Sequence, residues 1–343
     1  MMLLAFSCGQ WKVSSLKSEK IGLVGIGNGP GKVQVQLGES GLMEHSFLVK
    51  IARGNVYTAD NALKRIQVLE RNGTPLLIIG PKSGKGSSKE GPPYSPFNFS
   101  IIGMMAVDSK GNIYAQNRFI PMKSGGGDEF ALSPSYVLVF DKKGALQYTL
   151  GQLGSPDIPF DYIEDLEVDR EDRLFVVTRK FDTWSVFRFS NRKRDFFADL
   201  GKLEFKETEG GETYTGRVEN VKVLSSGDEF LIAAAYYHGL RFKYRKIFSY
   251  SLKAGKITRT LMNIPDPRNE LFDVVDDKHL YLWNIDEKRT RFVICNFDGN
   301  IINNIQIKFA DIKSYFGDIL MDETGQFYSY HVVKDGIEIL EWK

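Results

Sequence analysis

The sequence predicts an all-β fold: a six-bladed β-propeller of four-stranded antiparallel blades, its ring closed by an N-terminal strand in the last blade. Three observations carry that expectation. Residues 46–80, SFLVKIARGNVYTADNALKRIQVLERNGTPLLIIG, read as four short strands in a row, punctuated by Gly54-Asn55 and Asn72-Gly73. A mark of Asp-x-x-Gly-x-apolar-aromatic then recurs along the chain. Helix signals are almost absent, and a period of two dominates from about residue 20 onward. A single four-stranded sheet cannot bury both of its faces, so it needs neighbours of the same kind.

The totals agree with this. A repeat architecture carries 343 residues as one domain, because each repeat adds its own layer of core. The composition is 42% apolar, 26% charged and 13% aromatic, with 24 Phe and 15 Tyr, which favours strands. A net charge of +2 supplies no global field for nucleic acid or anionic lipid, so no nucleic-acid partner is expected. No apolar run approaches 18 residues, so no helix of this chain is expected to span a membrane. Of the two cysteines, Cys295 lies in the strand RFVICNF and reads as a small buried apolar residue, while a disulfide to Cys8 has no support in the spacing.

Met1 to Cys8, MMLLAFSC, is a short apolar run ending in a small residue and a cysteine. It resembles the lipobox end of a bacterial lipoprotein signal peptide, in which the cysteine is acylated. Leu4 sits four residues before Cys8 and Phe6 two before it, where the usual pattern has Leu at three and a small residue at two. The segment lacks a basic start and is short for a signal peptide, which fits a start upstream of Met1. Residues 1–18 are thus read as a lipobox-like start and tether, with Cys8 as the lipidation site. The other reading is a soluble cytoplasmic N-terminus with an incidental cysteine.

From residue 19 to 343 the chain reads as one propeller, with blades at about 44–80, 100–152, 161–202, 216–263, 269–309 and 316–343 plus 19–27. The repeat mark appears in VDSKGNIYAQN, VDREDRLFVVT, LSSGDEFLIAA, VDDKHLYLWN and MDETGQFYSYH. Its aromatic positions, Tyr57, Tyr114, Phe175, Phe230, Tyr281 and Tyr328, are 47 to 61 residues apart, the size of a four-stranded blade. Asp and Gly build a tight turn after the innermost strand, and the aromatic fills the space between adjacent sheets. Third strands follow at 136–141, 185–190, 246–251, 292–297 and 337–342, and fourth strands follow turns such as Lys143-Gly144 and Asp298-Gly299. The last repeat has no fourth strand after IEILEWK. EKIGLVGIG (19–27) has the matching character, so residues 20–26 are expected to close the ring and remove its edges.

In GNVYTADNALKRIQVLERNGTPLLIIG, the Gly/Ser/Pro loop after it and the apolar strand IIGMMAVD, the chain resembles NHL-type six-bladed propellers, and the resemblance covers nearly its whole length. Together with the lipobox-like start it is similar to NHL-like propeller lipoproteins of spirochaetes. The resemblance implies a propeller tethered in the cell envelope, periplasmic or at the surface. Some propellers of this class are metal-dependent lactonases or lyases, which need converging His, Glu, Asp or Asn ligands.

Three residues past each aromatic position lie Asp60, Asn117, Thr178, Ala233, Asn284 and His331, expected near one mouth of the channel as a ligand or partner rim, or else as solvated turn residues. His238 is expected to face the same mouth, and His279 the opposite one; two histidines without a third ligand make no metal site. Glu164 is an innermost-strand candidate, or lies with Asp165 in the loop between blades. Trp184, Tyr236, Tyr237, Trp283 and Phe242 gather at the ends of second strands and read as an exposed aromatic patch for protein or glycan contact, or as packing between blades. The basic runs NRKR (191–194) and FKYRK (242–246) are read as hairpin loops. No nucleophile motif, P-loop or dinucleotide fingerprint appears, and GIGNGPG lacks the strand–helix context for phosphate. No catalytic residue, metal or cofactor is therefore assigned. The expected function is a non-enzymatic protein-interaction module of the envelope, with a small-molecule or glycan-binding propeller and a metal-dependent hydrolase or lyase as alternatives.

Overall fold

The computed structural model describes residues 13–35, 37–38, 41–42, 47–81, 91–118, 135–151, 160, 162–286, 289–309, 314 and 316–343. They form six small, mostly antiparallel sheets of four or five strands arranged as a six-bladed β-propeller, with a separate two-stranded piece at Leu37–Gly38 and Gly41–Leu42. Among the described residues the helical content is one short 3-10 turn, Leu200–Lys202. The innermost strands of blades 1 to 6 are Phe47–Ala52, Ile101–Val107, Tyr162–Val168, Glu212–Val223, Glu270–Val275 and Phe316–Met321. Each is followed by three antiparallel neighbours, so turns between first and second strands open on one mouth and turns between second and third strands on the other. We call these the near mouth and the far mouth.

The recurring aspartate works through its side chain. Asp108 Oδ1 accepts the backbone N–H groups of Lys110 and Asn112 at 2.9 and 2.8 Å. Asp169 takes those of Glu171 and Arg173 at 2.9 Å each, and Asp322 those of Thr324 and Gln326 at 2.9 and 3.1 Å. Two amides per turn are satisfied by one carboxylate, which fixes the reversal. Gly111 then adopts φ 80°, and in blade 3, which lacks the glycine, Asp172 takes the left-handed role at φ 60°.

Apolar residues from facing sheets form one buried cluster at each junction of neighbouring blades. Tyr57 and Ile79 meet Ile102 and Phe140 between blades 1 and 2, and Phe175 and Val186 meet Phe230 and Tyr250 between blades 3 and 4. The junction of blades 6 and 1 is equally complete, with Val24 and Ile337 against Val56 and Leu69. Ring closure is as the sequence predicts. Ser18–Ile26 is the fourth strand of blade 6, antiparallel to Gly336–Trp342, with Ser18 opposite Trp342 and Gly25 opposite Gly336. A Cβ at Gly22 would stand 2.0 Å from the carbonyl oxygen of Arg71 in blade 1, so only glycine lets the closing strand approach.

The glycine-rich stretch after the closing strand is bolted to blade 1. Arg65 donates to the carbonyls of Asn28, Gly29 and Lys32 at 2.8, 3.0 and 2.5 Å. Gln67 donates to Lys32 O at 2.7 Å and accepts from Gly31 N at 3.0 Å, and Asp60 Oδ2 accepts from Gln34 N at 2.9 Å. Replacing Arg65 by Met removes a donor from three carbonyls, of which Asn28 O keeps no other among the described residues, and leaves buried Asp60 without its cation, at a cost of about 3 kcal/mol. In the Arg65→Met variant, amide hydrogen exchange should accelerate in residues 18–33 before blade 3; uniform acceleration around the ring would refute the bolt.

Candidate functional site

The rim residues expected from sequence are brought to the far-mouth ends of the second strands, one strand back from the channel. They are committed to structure. Asp60, Asn117, Thr178 and His331 are buried. Asp60 holds Gln34 N and Leu63 N (2.9 and 3.0 Å), and burial raises its carboxyl above the usual range despite those bonds and Arg65. Asn117 accepts from Ser100 N at 2.9 Å and donates to the Tyr136 hydroxyl at 2.5 Å. Asn284 donates to Asn269 Oδ1 at 3.0 Å. His331 Nε2 meets Ser329 Oγ at 2.8 Å, and burial lowers its pKa. They are therefore not solvated turn residues: each of Asp60, Asn117 and Asn284 ties a second strand to the connection entering its blade. His238 is exposed, its Nδ1 3.2 Å from Thr213 O. His279 starts its strand at the near-mouth turn. Among the described residues no group of three or more His, Cys, Asp or Glu side chains is arranged to hold a metal ion.

The aromatic set divides. Trp184 and Tyr236 are buried in the core between blades 3 and 4, which corrects the exposed-patch reading for these two and agrees with packing between blades; their strand faces point into the inter-blade space. Tyr237, Phe242 and Trp283 are half-buried at the far mouth. Tyr237 and Trp283 border a cavity of about 450 Å³ between blades 3, 4 and 5, with Arg179, Arg217, Glu219, Arg245 and Glu270 in its wall. Arg245 Nε donates to Glu219 Oε2 at 2.6 Å, Tyr237 donates to Glu219 Oε1 at 3.2 Å, and the Arg217 guanidinium lies 6.0 Å from the Tyr237 ring centre. Residues 242–246 lie within the third strand of blade 4, not in a loop. Around this cavity the tips carry bare apolar side chains: Phe181 is 79%, Leu240 98% and Ile285 58% exposed. Phe181 and Leu240 stand in the turns between second and third strands of blades 3 and 4, and Ile285 stands at the end of the second strand of blade 5.

Sequence reasoning missed the charged cluster inside the channel. Glu164 and Asp165 are not in a loop: both lie in the innermost strand Tyr162–Val168. Glu164 turns to Arg179 (2.5 Å), while Asp165 and Glu167 face the channel. Lys222 of blade 4 reaches Asp165 Oδ2 at 2.9 Å and Glu167 Oε1 at 3.6 Å. Asp273 of blade 5 and Lys50 of blade 1 complete the lining of a cavity of about 400 Å³ that opens at the near mouth. Side-chain exposure of 17% for Lys222, 25% for Asp165 and 23% for Glu167 is exposure to channel water only, because protein surrounds the cluster. Burial alone pushes Asp165 up, but the Lys222 and Lys50 ammonium groups outweigh it and hold the carboxyl below the usual range. Burial and then the Asp165 charge push Glu167 well above that range. Burial also raises Asp273, offset in part by Lys222. Lys222 is raised above an ordinary lysine because Asp165, Asp273 and Glu167 outweigh its burial. The signal was present: Lys50 in FLVKIA, Lys222 in VENVKV and Asp273 in ELFDVV interrupt otherwise apolar strands.

No protein-family model matches the chain, and no curated protein matches it. Solved structures match the chain at low similarity. Kuenenia stuttgartiensis hydrazine synthase is 10% identical, with TM-score 0.45 over 80% of this chain and 70% of that one. A Bacteroides caccae protein of unknown function is 14% identical, TM-score 0.44, over 78% and 85%. A gluconolactonase from Xanthomonas campestris is 11% identical, TM-score 0.43, over 84% and 82%. Likenesses at this level carry no argument about activity. The protein is a six-bladed β-propeller with an ionised channel and an apolar-tipped far mouth.

Two substitutions test the charge assignment. Lys222→Met strips Asp165 of its counterion and should cost about 3 kcal/mol at neutral pH, read from the urea midpoint. The cost should shrink toward about pH 4, where protonated carboxyls need no cation. Glu167→Gln acts in the other direction. A carboxyl whose folded value is raised stabilises below its unfolded value and loses that contribution as pH rises through the folded value. The Gln variant should therefore gain on wild type toward alkaline pH, and a difference independent of pH would overturn the assignment.

Proposed function

We propose that this propeller is a non-enzymatic interaction module that docks a protein partner through the far mouth over blades 3 to 5. The observation that supports this best is the placement of three bare apolar side chains, Phe181, Leu240 and Ile285, around a cavity walled by Tyr237, Trp283 and arginines. Water-exposed apolar tips rimmed by charge suit a surface that is covered in use, and aromatic and Arg side chains are those that anchor interfaces. Blade 4 favours the same reading: its strands Glu212–Val223 and Arg241–Ser251, with the added strand Lys206–Glu209, extend it beyond its neighbours.

The proposal includes an acyl anchor on Cys8 and a place in the cell envelope. Strand Val13–Ser15 lies parallel on the outer strand of blade 5. The four residues between Cys8 and Val13 give a reach of roughly 15 Å, which holds the outer edge of blade 5 at the membrane surface and leaves the far mouth of blades 3 and 4 clear. A glycan-binding reading draws on the half-buried Tyr237 and Trp283 beside Glu219 and Arg217.

A photo-crosslinking residue in place of Leu240, in intact native cells, should capture one envelope protein repeatedly. The triple change Phe181→Asp, Leu240→Asp, Ile285→Asp should keep stability within about 1 kcal/mol and cut that capture at least tenfold, measured with the crosslinker moved to Tyr237. Undiminished capture would remove the docking proposal. Cys8→Ala should shift the protein from the membrane pellet to the soluble fraction, and unchanged partition would remove the anchor.

A further inference from the structure

The channel cluster is not neutral in its bonding even where its charges balance. Asp165 and Lys222 are committed to each other at 2.9 Å, and Glu167 shares Lys222 at 3.6 Å. At the rim, Arg53 is paired with Glu323 at 3.7 Å and Arg170 with Asp277 at 3.9 Å. Two groups remain. Asp273 Oδ1 accepts only the adjoining Val274 N–H at 2.8 Å, and its other oxygen has no partner among the described residues. Lys50 makes no hydrogen bond or ion pair among the described residues, although Asp165 and Asp273 both feel its charge. Lys50 belongs to blade 1 and Asp273 to blade 5, so blade 6 stands between them and a direct bond is not made. Both line the same cavity of about 400 Å³, and Met321 of blade 6 supplies an apolar stretch of the wall between them.

We propose that the channel is a binding site for a small zwitterion of the α-amino-acid class, its carboxylate on Lys50 and its ammonium on Asp273. An anion alone would satisfy Lys50 while adding to the negative charge that Asp165 and Asp273 already bring. A cation alone would satisfy Asp273 while facing two lysines. Only a ligand with both signs matches both uncommitted groups and adds no net charge to an enclosed site, where an uncompensated charge is costly. The cavity is large enough for an amino-acid side chain along the Met321 wall, so selectivity among amino acids falls to that wall and to the rim. This site lies on the opposite mouth from the docking surface and does not depend on it.

The test is thermal unfolding of the full chain with each standard α-amino acid at about 10 mM, with acetate and methylammonium as single-charge controls. A ligand present at about 100 times its Kd should raise Tm by about 3–4 °C, and calorimetry should return one site per chain. Lys50→Met and Asp273→Asn should each abolish the rise, while Lys50→Arg and Asp273→Glu, which keep the charges, should retain at least part of it. The triple tip variant should respond as wild type, so failure of the docking reading leaves this one intact. The proposal is overturned if no amino acid raises Tm, if acetate or methylammonium matches the best amino acid, or if the rise persists in both neutral variants.

Discussion

The structure depends on one pairing: the strand Ser18–Ile26 with Gly336–Trp342. A propeller of open sheets has two exposed sheet faces and an unpaired outer edge in the last blade, and neither is tolerable in water. Placing the closing strand there completes blade 6 and brings Val24 and Val33 into the core shared with blade 1. The buried polar bolt of Asp60, Arg65 and Gln67 then fixes where the chain crosses from blade 6 to blade 1. Every blade-to-blade core around the ring presupposes that this seam holds, since opening it would expose both faces of the junction together.

The fold was legible because blades 2, 3 and 6 repeat one local device, an aspartate that caps two amides, and every blade sends an aromatic toward the inter-blade core. That device survives where its letters change, as at Asp172, which stands where blade 2 has Gly111. The closing strand was legible because the last repeat lacks a partner and residues 20–26 have the right character. What the strand pattern could not reveal was which side of a two-faced strand meets the channel and which meets the next blade. Trp184 and Tyr236 resemble Tyr237 and Trp283 in sequence position, yet one pair is core and the other surface. Asp60, Asn117 and Asn284 are polar because they hold incoming connections, a demand set by partners 15 to 26 residues away.

The channel makes the same point for charge. Lys50, Asp165, Glu167, Lys222 and Asp273 come from four blades, and no local spacing relates them. Their meaning is collective: burial that would lower a lone lysine is outweighed by the carboxyl groups around it, and a carboxyl beside another charged one is pushed above its usual range. The far mouth differs in kind. There charge is mostly paired, and what stands uncovered is apolar.

The order in which the chain is made gives the closing seam a time dimension. Ser18–Ile26 leaves a ribosome well before its partner Gly336–Trp342, which lies far along the chain. At about 5–20 residues per second the wait is roughly 15–60 s. Through that interval blades 1 to 5 can stack, while an apolar β-edge has nothing to pair with inside its own chain. The exposed Lys20, Glu19 and Ser18 at its leading end are suited to keeping that edge from pairing with a stranger.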